Sequence, residues 1–161
     1  MGERRYLYRG RILNLALEDE HYEIVEHKNA VGIVLVQEGQ VLLVRQYRVA
    51  IRCETLEIPA GLIEPGESPL AAAQRELAEE AQLAADLEAI TQAYLSPGFC
   101  DEKAYLFRAN NPRPARGTPD DDEEITLEWH RPHEFLACVR DGSVTTSATT
   151  LIGILALEAE I

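Results

Sequence analysis

The stretch AGLIEPGESPLAAAQRELAEEAQL, residues 60–83, joins a glycine turn to a helix and decides how the rest of the chain is interpreted. Its PG pair at 65–66 predicts a turn, because proline followed by glycine is a strong turn signal. Ser68 can accept hydrogen bonds from the exposed amides of the next turn, and Pro69 suits the first helical position. We therefore expect a helix that begins at about Pro69.

This helix carries three carboxylates on one face. At about 100° per residue, Glu76, Glu79 and Glu80 fall within one narrow arc. A neighbouring arc is apolar and can pack against a core: Leu70, Ala73, Leu77, Ala81 and Ala84. Packing does not explain the carboxylates, and like charges at these spacings destabilise a helix slightly. Taken alone, RELAEE is also compatible with an ordinary solvated surface.

The spacing of Gly61, Glu67 and the hexapeptide RELAEE at 75–80 resembles the Nudix box of the Nudix hydrolases. The resemblance implies an α/β fold: an α/β/α sandwich with a mixed sheet and the Nudix helix, plus an N-terminal antiparallel strand region. One position departs from the family pattern, since Gln82 stands where the family usually has glycine. We expect this glutamine to let the helix continue, because it is a good helix former and glycine is the usual C-cap.

Clustered carboxylates suit Mg²⁺ or Mn²⁺, which are hard cations that prefer oxygen ligands. The resemblance implies that Glu76 and Glu80 are direct ligands and that Glu79 joins through water or as a further ligand. It also implies hydrolysis by a metal-activated water, without a covalent enzyme intermediate. We expect Arg75 to hold Glu79 through an i,i+4 ion pair, and the resemblance implies that Glu67 braces the helix.

Two further stretches resemble the ADP-ribose pyrophosphatases, a Nudix subgroup. The sequence LEIPAG at 56–61 is similar to their ELPAG entry to the box, which implies a substrate-binding Glu57 and a metal-binding backbone carbonyl at Ala60. The sequence SPGFCDE at 96–102 looks like their S-P-G-x-x-x-E segment. It implies substrate contacts from Ser96 and Gly98, and places Glu102 near the ribose or a phosphate oxygen. A turn at the end of a strand is the simpler interpretation of Pro-Gly alone.

Two arginines end a strand just before the box and can deliver positive charge to a diphosphate. Arginine forms bidentate hydrogen bonds with phosphate, so we expect Arg48 to bind substrate. For Arg45 we keep both interpretations open: a substrate contact, or the end of a strand that meets solvent.

A base that activates the attacking water is expected in the acidic run DDDEE at 120–124. The family often supplies this base from such a loop. Glu123 is the first candidate and Asp121 the second, and the remaining acids are interpreted as solvated charge. Glu128, in the strand beyond, is expected to be a surface residue. The four histidines lack metal-ligand spacing and are interpreted as structural or exposed.

Apolar periodicity predicts strands and helices on both sides of the box. The predicted strands are Arg11 to Leu17, Tyr22 to His27, Ala30 to Gln37, Val41 to Tyr47, Leu87 to Leu95, Lys103 to Ala109 and Ile125 to His130. Helices are predicted at Pro132 to Asp141 and Thr145 to Glu158, a hairpin turn at Glu38-Gly39, and a loop from Asn110 to Glu124. The run 31–36 is apolar on both faces, which indicates a central strand covered on each side.

Composition limits the class of protein. With 161 residues and 46% hydrophobic residues, we expect one domain, residues 1–161, with an ordinary core. A net charge of −13 argues against nucleic acid or an anionic membrane as the main partner. The three cysteines lack C-x-x-C spacing, which indicates neither disulfides nor a zinc site. Without an apolar leader or a membrane-length stretch, we expect a soluble, cytoplasmic protein.

The resemblance implies an enzyme that uses Mg²⁺ or Mn²⁺ to hydrolyse the diphosphate of ADP-ribose, or of a related nucleoside diphosphate sugar, to AMP and a sugar phosphate. Three alternatives remain: a Nudix hydrolase for another nucleoside diphosphate derivative, a nucleotide sensor without turnover, and a non-catalytic acidic interaction protein. The resemblance also implies a homodimer in which the N-terminal strands, within residues 1–28, reach across the interface.

Overall fold

The computed structural model describes residues 3–118 and 125–158. Its strands are β1 (Arg4–Arg9), β2 (Leu13–Glu18), β3 (Tyr22–His27), β4 (Ala30–Gln37), β5 (Gln40–Arg48), β6 (Cys53–Glu57), β7 (Ala60–Leu62), β8 (Leu83–Tyr94), β9 (Lys103–Pro114) and β10 (Ile125–His130). Its helices are α1 (Pro69–Ala81), α2 (Pro132–Asp141) and α3 (Ala148–Glu158). Each predicted strand and helix is present, although several boundaries differ.

Strand β4 lies at the centre of the main sheet, as its two apolar faces predict. The main strand order is β10-β5-β4-β9-β8, with β6 paired to β5 and β7 paired to β4. Strand β4 runs antiparallel to β5 and β7 and parallel to β9, so the sheet is mixed. Ile33 packs on the α1 side, whereas Val34 packs on the other side with Phe135 of α2 and Ile154 of α3. The predicted α/β/α sandwich is therefore confirmed.

Helix α1 begins at Pro69, as predicted, because the Ser68 hydroxyl accepts a hydrogen bond from the Ala71 N–H at 3.2 Å. The expectation that Gln82 would extend the helix is wrong. Gln82 adopts the left-handed conformation, with φ 55° and ψ 36°, and ends the helix at Ala81. Its side-chain amide donates to the Ala78 carbonyl at 3.0 Å, which offsets the cost of this conformation for a residue with a Cβ.

The N-terminal strands form a separate antiparallel sheet of order β1-β2-β3. The predicted strand from Arg11 to Leu17 corresponds to β2, and β1 is an unpredicted strand before it, joined to β2 by a turn near Gly10. Arg4 pairs with Glu18 of β2 and Glu26 of β3 and so ties the three strands together. The predicted N-terminal antiparallel region is thus confirmed, with an additional strand.

Other boundaries changed because of long-range pairing. Strand β9 continues to Pro114, inside the predicted loop, since it pairs with β8 as far as Leu83. Helix α3 begins at Ala148 rather than at Thr145, because the Ser147 hydroxyl accepts from the Thr150 N–H. The hairpin turn at Glu38-Gly39 is confirmed, and both residues have positive φ. Among the described residues, none of the helices is both long and apolar enough to span a bilayer.

Candidate functional site

The backbone of β7 lies directly against the carboxylates of α1. The Ala60 N–H donates to Glu80 Oε2 at 3.0 Å. An alanine Cβ at position 61 would overlap the Glu76 carboxyl group, so only glycine permits this approach. Ala60, Glu76 and Glu80 are therefore brought together as the resemblance implies, although Ala60 is distant from the other two in the chain.

Arg75 joins three glutamates into one network. Its Nη1 donates to Glu76 Oε1 at 2.6 Å and to Glu79 Oε2 at 2.9 Å, so the predicted i,i+4 pair is present. Its Nε and Nη2 donate to the two oxygens of Glu67 at 3.0 and 2.9 Å. Nη2 also donates to the Leu62 carbonyl. This network holds the turn before α1 against the carboxylate face of the helix.

Opposite charges in this network favour the ionised forms. The hydrogen bond from Arg75 lowers the pKa of Glu67 below its ordinary value, even though partial burial opposes the shift. Hydrogen bonds to Glu67, and then to Glu76 and Glu79, raise the pKa of Arg75 despite desolvation. Both groups are therefore charged at neutral pH, and Arg75 offsets part of the negative charge of the face.

The donor atoms of this face suit a hard divalent cation. Glu76, Glu79 and Glu80 offer carboxylate oxygens and Ala60 a backbone carbonyl, which are the ligands that Mg²⁺ and Mn²⁺ prefer. Within 3–118 and 125–158, no group of three or more His, Cys, Asp or Glu residues has side chains already gathered around a metal position. Arg75 holds Glu76 and Glu79. A cation would therefore compete with Arg75 for these two carboxylates.

Arg48 and Glu57 form a second ion pair, in which the Glu57 side chain is largely buried and the Arg48 side chain is partly exposed. Nε and Nη2 of Arg48 donate to the two oxygens of Glu57 at 2.9 and 3.0 Å, and the Thr55 hydroxyl donates to Oε1 at 2.6 Å. Burial of Glu57 opposes ionisation, but the hydrogen bonds from Arg48 and Thr55 outweigh it and lower the pKa of Glu57. The two predicted substrate-binding residues thus lie together, on the paired strands β5 and β6.

Arg45 contacts the last strand of the sheet. Its guanidinium donates to both carboxylate oxygens of Glu128, and Glu54 lies 3.5 Å from Nη1. The hydrogen bond from Arg45, supported by His130, lowers the pKa of Glu128 despite some desolvation. Glu128 is therefore an ion-pair partner of Arg45 at a partly exposed position of β10. The partnership was missed because β10 and β5 are far apart in the chain and their register is not visible in the sequence.

The segment Ser96 to Glu102 packs against the N-terminal sheet. The Val25 N–H donates to the Phe99 carbonyl at 2.7 Å, and the His27 N–H donates to Asp101 Oδ1 at 2.8 Å. Burial raises the pKa of Glu102, which lies 3.6 Å from His27. A cleft of about 690 Å³ is lined by Gly98 and neighbouring aromatic side chains. The substrate roles of Ser96, Gly98 and Glu102 stay predictions.

The candidate bases Asp121 and Glu123 lie outside the described residues. The chain just before them is held by Gln82, whose Nε2 donates to the Gly117 carbonyl at 3.1 Å. The Gly117 N–H donates in return to Gln82 Oε1 at 3.4 Å. This contact was not predicted, because the family pattern has no side chain at that position.

Comparisons with known proteins agree with this arrangement. The family model described as "NUDIX domain" matches residues 26–148. The chain is 37% identical to an ADP-ribose pyrophosphatase of Bacillus subtilis over 76% of this chain and 75% of that protein. It is 31% identical to a methanol dehydrogenase activator of Bacillus methanolicus over 90% of this chain and 85% of that protein. A crystal structure of an ADP compounds hydrolase superposes with a TM-score of 0.80 at 22% identity, covering 98% and 90% of the two chains.

Proposed function

Since this chain belongs to the NUDIX domain family, we propose that it hydrolyses the diphosphate of ADP-ribose, or of a related nucleoside diphosphate sugar, to AMP and a sugar phosphate. The chain is a pyrophosphohydrolase, and relatives that share this activity support the substrate class. We further propose that catalysis requires Mg²⁺ or Mn²⁺. The observation that carries the proposal is the carboxylate face of α1, where Arg75 holds Glu76 and Glu79 and the Ala60 N–H donates to Glu80.

The carboxylate face explains how a strongly acidic protein binds an anionic substrate. With a net charge of −13, the chain repels a diphosphate unless positive charge is supplied locally. Glu76, Glu79, Glu80 and the Ala60 carbonyl would hold the cation. When bound, it supplies Lewis-acid polarisation of a phosphoryl oxygen and lowers the pKa of a bound water.

The side chains around the face contribute positioning. Arg75 holds Glu76 and Glu79 in fixed orientations, and Glu67 holds the other edge of the Arg75 guanidinium. The Ala60 N–H fixes the carboxylate of Glu80. Carboxylates that are already held in place lose less conformational entropy when a cation binds, and hydrogen-bonded neighbours orient the ligands of other metal centres in the same way. Glu123 or Asp121 would accept the proton of the attacking water.

On the substrate side, Arg48 is the best candidate for a phosphate contact. Its side chain is 41% exposed although it pairs with Glu57, so a ligand can reach it. Glu57 holds the guanidinium by two parallel hydrogen bonds and so fixes the direction in which it faces. Arg45 is a weaker candidate, because Glu128 and Glu54 already bind it.

The proposal is tested by the substitution Glu80→Gln. The glutamine keeps the size of the side chain and can still accept from the Ala60 N–H, but it lacks the charge. If Glu80 binds the cation, we expect the rate of AMP release from ADP-ribose to fall by about 10²- to 10³-fold, since a metal supplies several kcal/mol of transition-state stabilisation. Glu88→Gln, at an exposed position of β8, is the matched control and should retain the wild-type rate. Unchanged turnover by Glu80→Gln would remove Glu80 from the metal site.

A substrate panel distinguishes the alternatives. It contains ADP-ribose, other sugar nucleotides, NADH, FAD and nucleoside triphosphates, each with Mg²⁺, with Mn²⁺ and with a chelator. Preference for another diphosphate would identify a different Nudix substrate, because the box residues bind the metal and not the base. Binding of ADP-ribose without cleavage of any compound would instead support a nucleotide sensor.

We also propose that the N-terminal sheet mediates a homodimer and that the protein is cytoplasmic. The exposed apolar side chains of Leu7 and Tyr22 on this sheet, and of Ile12 in the turn between β1 and β2, support an interface. Light scattering should give twice the mass of the chain. A monomer at micromolar concentration would contradict the dimer.

A further inference from the structure

The carboxylate of Glu57 joins a buried hydroxyl to an arginine that solvent reaches. Arg48 donates to Oε1 from Nε at 2.9 Å and to Oε2 from Nη2 at 3.0 Å. The Thr55 hydroxyl donates to Oε1 at 2.6 Å, and Thr55 is 3% exposed. Burial raises the pKa of Glu57, but hydrogen bonds with Arg48, Thr55 and, to a lesser extent, Ser147 lower it by more. Glu57 is therefore an ionised group held by donors on both sides.

The backbone that carries Glu57 is held along both edges of β6. On one edge, the whole strand, residues 53–57, pairs with β5. On the other edge, the Leu56 N–H donates to the Thr145 carbonyl at 2.9 Å, and the Thr146 hydroxyl donates to the Leu56 carbonyl at 2.6 Å. Several independent hydrogen bonds thus set the position of the Glu57 backbone, whereas the direction of its carboxylate depends on side-chain contacts.

The Thr55 hydroxyl fixes the direction of this carboxylate. The two hydrogen bonds from Arg48 align the guanidinium with the carboxylate, but the pair can still turn together, because the last torsion of a glutamate is broad. Thr55 holds one of the two oxygens, and its own χ1 is restricted because threonine is β-branched. The Gln46 carbonyl lies farther from the hydroxyl, at 3.3 Å, so the single hydroxyl hydrogen is donated to Glu57. Thr55 therefore orients Arg48 through Glu57.

This ion pair adjoins the carboxylate face of α1. Glu57 is three residues before Ala60, whose N–H donates to Glu80. Because an extended chain spans at most about 3.6 Å per residue, the Cα atoms of Glu57 and Ala60 are within about 11 Å of each other. A diphosphate held at the carboxylate face therefore lies close to the Arg48 guanidinium.

We propose that Thr55 is a positioning residue: its hydroxyl orients the Glu57 carboxylate, which holds the Arg48 guanidinium in the direction that binds the diphosphate of the substrate. This inference rests on the proposed function, in which Arg48 contacts the diphosphate. Orientation matters because a guanidinium is a planar fork, which forms parallel hydrogen bonds with two phosphate oxygens when its plane is aligned with them.

The substitution Thr55→Val tests this role, because valine keeps the shape of threonine and lacks the hydroxyl. We expect KM for ADP-ribose to rise on the order of fivefold, with kcat within about twofold of wild type, since a contact made equally in the ground state and the transition state is weakened. Thr55→Ser retains the hydroxyl and should keep KM within about twofold of wild type. An unchanged KM in Thr55→Val, or an equal rise in both variants, would overturn the inference.

Thr146→Val is the matched control. Its hydroxyl also donates at 2.6 Å to β6, but the acceptor is the Leu56 carbonyl and not the side chain of Glu57. The bond from the Leu56 N–H to Thr145 and the pairing with β5 remain in this variant. We therefore expect a lower free energy of unfolding with a wild-type KM. A rise in KM as large as that of Thr55→Val would attribute the effect to the strand as a whole and refute the specific role.

Repeating Thr55→Val in the Arg48→Lys protein tests whether Thr55 acts through Arg48. Lysine keeps a positive charge beside Glu57, but its ammonium group has no plane to orient. Because residues that act through one another have non-additive effects, we expect Thr55→Val to change KM by less than about twofold in this background. The same fold increase in both backgrounds would show that Thr55 acts by another route and would overturn the proposal.

Unfolding in acid tests the contact between Thr55 and Glu57 without turnover. Removing the hydroxyl removes one of the hydrogen bonds that, against burial, lower the pKa of Glu57. The free energy of unfolding of Thr55→Val should therefore depend less on pH below about pH 4.3 than that of wild type, whereas Thr146→Val should keep the wild-type dependence. The wild-type dependence in Thr55→Val would show that the hydroxyl does not hold the carboxylate, and the inference would fail.

The two kinds of measurement separate failure of this inference from failure of the proposed function. If the wild-type protein cleaves no nucleoside diphosphate, the proposed function fails and the positioning role fails with it, while acid unfolding still judges the contact of Thr55 with Glu57. If the wild-type protein cleaves ADP-ribose and Thr55→Val has a wild-type KM, the proposed function stands and the positioning role alone is refuted.

Discussion

The substitution Gly61→Ala tests the close contact between β7 and α1. A Cβ at this position would lie less than 3.0 Å from the carboxyl atoms of Glu76, which is closer than a Cβ normally approaches another heavy atom. The Glu76 side chain is flexible at that end, so it can move aside at little cost to the fold. The backbone of Gly61 has no positive φ that would strain an alanine. The change therefore displaces a metal ligand and spares the fold.

The size of the effect follows from this geometry. To regain ordinary contact, the Glu76 carboxylate must shift by on the order of 1 Å, and it must leave its position beside Arg75 Nη1. Displacements of that size cost about 10²-fold in rate when they occur at a catalytic constellation. We therefore expect kcat/KM for ADP-ribose to fall by about 10²-fold, with a higher Mn²⁺ requirement.

The assay measures initial rates of AMP release across a range of Mn²⁺ concentrations, with urea unfolding to monitor stability. Gly153→Ala provides the control, because its Cβ crowds Val34 at 2.8 Å in the core beneath α3, far from the carboxylate face. We expect this control to alter stability and not the Mn²⁺ requirement. Near-wild-type kcat/KM in a folded Gly61→Ala protein would refute the assignment of Glu76 as a metal ligand.

Two further predictions concern stability. Because folding lowers the pKa of Glu57, the ionised carboxylate contributes its full share to the free energy of unfolding above about pH 4.3. This share is lost as the pH falls through the lower pKa of the folded state. Urea titrations at several pH values should therefore show that the free energy of unfolding of Glu57→Gln depends less on pH below about pH 4.3. Leu77→Ala should destabilise the protein by about 2–5 kcal/mol, because Leu77 is fully buried on the inner face of α1. Leu70→Ala, at a half-exposed position on the same helix, should cost much less, and equal losses by urea unfolding would contradict the packing.

Short stretches of sequence predicted the parts of the fold that depend on interactions between residues close together in the chain. Ser68 and Pro69 set the start of α1 through capping, and the apolar faces of β4 predicted its central place. These two features depend on residues close together in the chain or on a periodicity that one segment carries by itself. That Ala60 lies beside Glu80 was implied by the resemblance of the box to a known family and not by local physics.

Features that depend on distant partners were not predictable in this way. Gln82 has a high helix propensity, yet contacts with Gly117 favour the left-handed cap. Arg45 was left open between substrate and solvent, and its partner Glu128 lies on a strand whose register is fixed only by the folded sheet. Strand β9 extends past its predicted end because β8 offers a pairing edge.

The products formed from ADP-ribose in ¹⁸O-labelled water test the central claim most directly. Wild-type protein with Mg²⁺ or Mn²⁺ should release AMP and ribose phosphate in equal amounts, with one ¹⁸O incorporated into one of the two phosphates, because water attacks phosphorus. A chelator should abolish the reaction. Release without phosphate labelling, turnover that persists with the chelator, or no cleavage of ADP-ribose and related nucleoside diphosphate sugars would contradict the account.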